Sequence, residues 1–234
     1  SCEDDVFVYG LVNCFDPGRD RMVLLLRGAF REACHGHDVL KHTVPGTEPS
    51  VLISSHDIDA PDAYNQGAWG EPGALLMADM EKRLGVRGTY FITTDYVAGY
   101  YNPSTIKGLC ARGMCPQGGH TVQHLDWQKL PKGQCDVSYA TYETKNPTVC
   151  GEVVVNLQLL RKTLGPATDL RAWRTPYLEL HTDQFEVLHD QGVRYDSSLA
   201  IGDVRTHFPF AMDRFPYHQS DLFKYQRMYE FPVN

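Results

Sequence analysis

Two short segments of this chain carry residue types that can hold a divalent cation and use it. Asp57-Ile-Asp59 ends an apolar run, and His120-Thr-Val-Gln-His124 follows roughly sixty residues later. Two carboxylates and two imidazoles are the donors a catalytic metal needs if one coordination position is to stay open for water. The combination predicts metal-dependent hydrolysis. Residues 51–56, Val-Leu-Ile-Ser-Ser-His, are of strand length, with apolar and β-branched residues leading, and they turn polar where the acids appear. Alternation along a strand sends Asp57 and Asp59 to one side and Ile58 to the other, so both acids can face one site. Of two carboxylates near one cation, the ligand stays anionic while its neighbour can take a proton from water. A solvated Asp-Ile-Asp at a strand-to-loop junction is the plainer reading of the same residues.

His120 and His124 are four apart, which places them on one face of a helix and also on one side of a strand. The chain has ten histidines, so a surface or structural pair at this spacing is the competing reading. Gly118-Gly119 just before the pair would let the backbone bend tightly, and Thr121, Val122 and Leu125 read as buried strand or turn. A third segment, Arg171-Ala-Trp-Arg174-Thr-Pro176-Tyr177, sets a guanidinium two residues ahead of a proline that fixes the local backbone. A guanidinium held against a carboxylate fixes its orientation and favours its anionic form, as a general base requires. A surface arginine before a turn is the alternative.

In this order, His56-Asp57-Ile-Asp59, His120-Thr-Val-Gln-His124, Arg174-Thr-Pro-Tyr177 and Val193-Arg-Tyr-Asp196-Ser-Ser resemble the motifs of the polysaccharide deacetylases. These are carbohydrate esterases built on the nodulation-protein-B homology domain. Gly85-Val-Arg-Gly-Thr-Tyr-Phe-Ile-Thr also looks like that family's second strand. The resemblance spans about residues 50–234. It implies a distorted, incomplete (β/α) barrel with a metal at the C-terminal strand ends, bound by Asp59, His120 and His124. Asp57 would be the general base, Arg174 the residue that orients and tunes it, and Tyr177 the backbone N–H donor to the oxyanion. The separated Asp-x-Asp departs from the adjacent pair more common in the family and looks more like its peptidoglycan deacetylase-like and cyclic-amide hydrolase branch. The family's acid, a histidine after a strand resembling residues 229–233, has no match here. His207 and His218 stand in other contexts and read as surface or substrate-loop residues. A chain ending before its last strand is the expected reason.

Length and composition fit one catalytic domain at residues 50–234, with residues 1–49 as an N-terminal extension packed on it. The fold class expected is α/β with a mainly parallel sheet, from strand–helix alternation across residues 51–173. Helical stripes are predicted at Leu75, Met77, Ala78 and Met80, and at Val153, Leu157, Leu160 and Leu164, each read as core. Residues 60–72 form a Gly/Pro-punctuated loop whose Tyr64 and Trp69 could stack on a sugar face, packing over the barrel rim being the alternative. Residues 207–231, dense in Phe and Tyr, read as an irregular aromatic lid.

A formal charge of −7 and a pI near 5.8, with no Lys/Arg block, argue against a nucleic-acid partner. No segment approaches the length of a membrane span. Seven cysteines point to an oxidising compartment, and Cys110/Cys115 and Cys135/Cys150 lie at spacings that close surface loops. The second, closing a loop of about 15 residues, would contribute on the order of 3 kcal/mol. Cys2 could carry a lipoprotein anchor, or pair with Cys14 or Cys34. The expected location is therefore secreted, periplasmic or cell-surface. Zinc is the expected metal, with cobalt, nickel, manganese and iron as alternatives. The expected partner is an N-acetylated polysaccharide. Hydrolysis of another C–N bond and metal-retaining glycan binding are the two competing functions. Oligomeric state is not readable from these residues.

Overall fold

A computed structural model describes residues 53–66, 70–96, 98, 101–181, 183–200, 210–211 and 228–233. Trp69, His207, His218, the N-terminal extension with Cys2, Cys14 and Cys34, and most of the predicted aromatic lid lie outside the described residues.

Among the described residues seven strands form one sheet, in the order β1-β2-β3-β4-β5-β7-β6. They are β1 (Ser54–Ile58), β2 (Gly88–Ile92), β3 (Gly118–Gly119), β4 (Ala172–Trp173), β5 (Tyr195–Asp196), β6 (Phe210–Ala211) and β7 (Tyr229–Glu230). All neighbours are parallel except β6 and β7. Among the described residues β1 pairs only with β2 and β6 only with β7, so the sheet is open, as an incomplete barrel requires.

The helices between them are α1 (Pro61–Tyr64), α2 (Gly73–Leu84), α3 (Pro103–Ala111), α4 (Val149–Leu164) and α5 (Gln184–Asp190). Local chemistry sets their ends. Asn102 accepts the Ser104 N–H ahead of α3, with Pro103 at the first helical position. Thr148 accepts the Gly151 N–H and starts α4. Gly85 closes α2 in the left-handed region, at φ 70°. From Val149 to Leu160 nearly every residue of α4 is buried, so this helix is central rather than amphipathic.

The strand register sorts the side chains into two faces. Ile58, Ile92, Gly119, Trp173, Asp196 and Glu230 share the buried outer face that the helices cover. Asp57, Phe91, Gly118, Ala172, Tyr195 and Tyr229 share the inner face, which also carries Ser55, Arg174 and Ser197 by alternation. On α2 the predicted stripe is half right. Leu75 and Ala78 are buried, whereas Met77 and Met80 are 37% and 47% exposed. Glu81 takes the inward position instead. It accepts hydrogen bonds from Ser54, His56 and Tyr90, clasping helix to sheet.

Gly118-Gly119 is a strand, not a bend, and its glycines are there for room. A Cβ on Gly119 would lie 2.2 Å from Asn156 Oδ1 and 2.7 Å from the Trp173 ring, and one on Gly118 would lie 2.5 Å from Phe91. Gly119→Ala is therefore expected to destabilise the fold by about 1–3 kcal/mol, read as a lower denaturant midpoint at unchanged m value.

Both predicted disulfides are formed, Cys110–Cys115 and Cys135–Cys150. The second fastens residues 131–148 to the start of α4, where the Val149 and Cys150 N–H groups also bond to Pro131 and Lys132 carbonyls. Among the described residues no helix is long and apolar enough to cross a membrane.

Candidate metal centre

β1 delivers Asp57 on its inner face and Asp59 one residue past its end. β3 delivers His120 on the same face, one residue past Gly119. Ligand atoms of Asp59, His120 and His124 all lie within 4.8 Å of one another. Asp59 Oδ2 is 3.2 Å from His124 Nε2 and 4.0 Å from His120 Nε2.

The His120 ring is buried, and burial, first among the causes, holds its pKa below the usual histidine value. A neutral imidazole has one N–H, and Nδ1 lies 2.7 Å from the Arg174 carbonyl, so that nitrogen is the donor. The lone pair is then on Nε2, which is buried, has no hydrogen-bond partner among the described residues and is turned toward Asp59. A buried acceptor without a donor is costly unless something else takes it, and a cation does. Two imidazoles and a carboxylate suit zinc and its first-row neighbours, so the residues present fit the group.

His124 reaches this place by neither regular conformation that the spacing allowed. Residues 121–124 form a tight loop with Thr121 and His124 in the left-handed region, at φ 65° and 55°. Such backbone is strained for non-glycine residues and persists only where the surroundings over-determine it. Here they do. The Thr121 hydroxyl accepts the His124 N–H. Glu152 on α4 accepts the Val122 and Gln123 N–H groups, each at 2.8 Å, on one oxygen, and Tyr142 and Gln123 side chains on the other. Asn156, one turn on, donates to the carbonyls of Ile92 and Thr121.

Sequence reasoning missed Glu152 and Asn156. The signal was present: Cys150-Gly-Glu-Val-Val-Val-Asn-Leu157 sets two polar residues in an otherwise apolar helix, which predicts buried groups with dedicated partners.

Arg174 follows β4 and crosses the inner face to β1. Its Nη1 donates to Asp57 Oδ1 at 2.9 Å and its Nη2 to Ser55 and Ser197 hydroxyls at 2.8 and 2.9 Å. Its Nε donates to the Ser197 carbonyl, and the guanidinium lies over the Phe91 ring, 4.4 Å from its centroid. With the head fixed on all sides, Asp57 is held in one orientation while staying 33% exposed to the site. Tyr177 lies in the turn after Pro176, also left-handed at φ 57°, with its ring edge-on to His124 at 4.7 Å. It is 59% exposed, so it borders open solvent beside the triad.

Thus Asp57, Asp59, His120, His124, Arg174 and Tyr177 converge. Tyr64 does not. Its ring is fully buried, and its hydroxyl lies between the carbonyl oxygens of Ile58 and Thr93, where it ties the ends of β1 and β2. A ring in that position is core and cannot stack on a sugar.

An open, mainly parallel sheet with a His/His/Asp cluster at its C-terminal strand ends defines an α/β protein of the incomplete-barrel class. The chain belongs to the polysaccharide deacetylase family, whose model matches residues 76–195. A Mycobacterium smegmatis protein assigned as a polysaccharide deacetylase shares the fold. It has 16% identity and a TM-score of 0.50, over 78% of this chain and 58% of that one. The family 4 carbohydrate esterase of Streptomyces lividans, solved with acetate, is 21% identical over 64% of this chain and 62% of its own, with a TM-score of 0.45. The Streptococcus pyogenes deacetylase PplD, also solved with acetate, is 16% identical over 66% and 56%, with a TM-score of 0.43. The chain thus spans less than two thirds of the length of each. No curated protein sequence matches it.

Proposed function

We propose that this chain is a metal-dependent N-deacetylase acting on N-acetylglucosamine units of a polysaccharide: peptidoglycan, a chitin-like polymer or an exopolysaccharide. The observation that carries the reading is the meeting of an Asp59–His120–His124 donor set with a second carboxylate, Asp57, clamped by a buried arginine. Family membership supports the same chemistry. Asp59, His120 and His124 hold the cation, zinc by preference. When bound, it supplies Lewis acidity, polarising the amide carbonyl and bringing the pKa of water down toward about 7.

Asp57 takes the proton from the attacking water, and Arg174 keeps its free oxygen aimed at the site. The Tyr177 N–H faces the oxygen on which negative charge collects, a donor whose loss typically costs ~100-fold or more. The departing amine needs a proton, and Asp57, having just gained one, can return it. The two disulfides support an oxidising location such as the periplasm, cell surface or medium.

The test is acetate release from N-acetylglucosamine oligomers and from peptidoglycan by metal-stripped protein with zinc or cobalt restored. Metal-dependent release supports the reading. Release from a small cyclic amide but not from sugars would reassign the substrate. Oligosaccharide binding with no release under any metal would make the protein a glycan binder.

Glu152→Ala is expected to weaken zinc affinity 10- to 100-fold in competition with a chelator. The Val122 and Gln123 N–H groups lose their acceptor, and the loop that aims His124 loosens.

A further inference from the structure

Two buried acids have no part in that chemistry. Asp196 ends β5 and Glu230 ends β7, the register pairs them directly, and neither has any exposed surface. One oxygen of each is satisfied: Asp196 Oδ1 accepts the Ser198 hydroxyl at 2.6 Å and Glu230 Oε1 accepts the Leu199 N–H at 3.0 Å. The others, Asp196 Oδ2 and Glu230 Oε2, are buried and have no donor among the described residues. Two adjacent carboxylates in a dry interior cannot both ionise, and one proton between them supplies the missing donor. Burial is the first cause raising both, Asp196 to about 6 and Glu230 well above its ordinary value, where the Asp196 charge adds to it. Among the described residues Arg174 also acts on the pair, and its charge favours ionisation.

Ser197 connects this pair to the site. It follows Asp196, its carbonyl and hydroxyl both accept from Arg174, and its hydroxyl donates to the carbonyl of Phe231, the residue after Glu230. We propose that Asp196 and Glu230 share one proton and together hold Ser197 under Arg174, which makes Glu230 a positioning residue for Asp57. This rests on Asp57 being the general base. The folded pair binds its proton more tightly than unfolded carboxyls do. Its stabilising contribution is therefore complete below the ordinary carboxylate range; the part carried by Asp196 is lost as pH rises through about 6, and the part carried by the shared proton at the higher, raised value of Glu230. Once both acids ionise, the ends of β5 and β7 repel and Ser197 shifts.

The experiment compares Glu230→Gln and Glu230→Ala with the wild type. In Glu230→Gln an amide N–H replaces the shared proton permanently. That variant is expected to keep kcat within about threefold and to lose the alkaline fall in kcat that the wild type shows. Glu230→Ala is expected to lose kcat tenfold or more at unchanged KM and zinc affinity. A readout independent of activity is the Arg174 Nε–H nuclear resonance. It should be protected from exchange in the wild type and in Glu230→Gln, and unprotected in Glu230→Ala. An infrared band of a protonated carboxyl should persist at pH 7 in the wild type and vanish in Glu230→Gln. Absence of that band, an Arg174 signal indifferent to both substitutions, or a Gln variant as impaired as the Ala variant would each overturn the proposal. If the wild type releases no acetate, the deacetylase reading fails, and the two spectra still decide whether the pair exists and holds Arg174.

Discussion

Asp57→Asn is expected to bind zinc with wild-type affinity and to lose acetate release by about 100- to 10,000-fold, the range that general-base catalysis supplies. The substitution keeps the size of the side chain, and its amide oxygen can still accept the 2.9 Å hydrogen bond from Arg174. What it removes is the capacity to take a proton. Asp57 stands outside the set of ligand atoms within 4.8 Å of one another. Zinc titration by calorimetry and a progress curve on the same preparation are sufficient. If Asp57→Asn lost zinc while Asp59→Asn retained it, the roles of the two acids would be exchanged.

His120→Ala is expected to abolish zinc binding at micromolar metal, a larger effect on affinity than substitution at either partly exposed ligand. Asp59 and His124 side chains are 34% and 24% exposed and water can replace part of what they supply, whereas His120 is 1% exposed. Its removal leaves a buried space and also frees the Arg174 carbonyl that the Nδ1–H had satisfied. His120→Gln separates the two consequences. A glutamine fills much of the space but offers a poor metal donor, so it should recover thermal stability without recovering zinc. Zinc binding by His120→Ala would remove His120 from the ligand set.

Much of the site was legible because its chemistry admits few residue types. Two acids, two histidines and a positioned arginine could be grouped from residue type and spacing, because ligands and guanidinium clamps have few substitutes, while the division of roles among Asp57, Asp59 and Arg174 was what the family resemblance implied. The supports were harder to read. Glu152 lies on a helix where a carboxylate ordinarily faces water, and only the apolar neighbours on both sides mark it as buried. Ser197 acts through its main chain as much as its hydroxyl, and a main-chain acceptor leaves no trace in composition. Tyr64 shows the converse. A tyrosine just past two catalytic-type acids has the same pattern whether its ring turns to substrate or to core, and the carbonyls at the ends of two strands decided it. Met77 and Met80 fit the helical period, yet the clasp at Glu81 turns the helix so that an acid is inside and two methionines are not.

The strand that leads into His120, Gly118–Gly119, has no side chains of its own, and the space they would fill is taken by its neighbours. Phe91 leans over Gly118, and Asn156 with Trp173 closes over Gly119. Volume at these positions is therefore held in common. A methyl group gained at 119 must be given up at 156 or 173, so Gly119→Ala and a smaller residue at Trp173 should be individually harmful and partly corrective together. Divergent relatives are then expected to change these positions in concert, and a non-glycine at 119 in such a chain would forecast a smaller residue facing it.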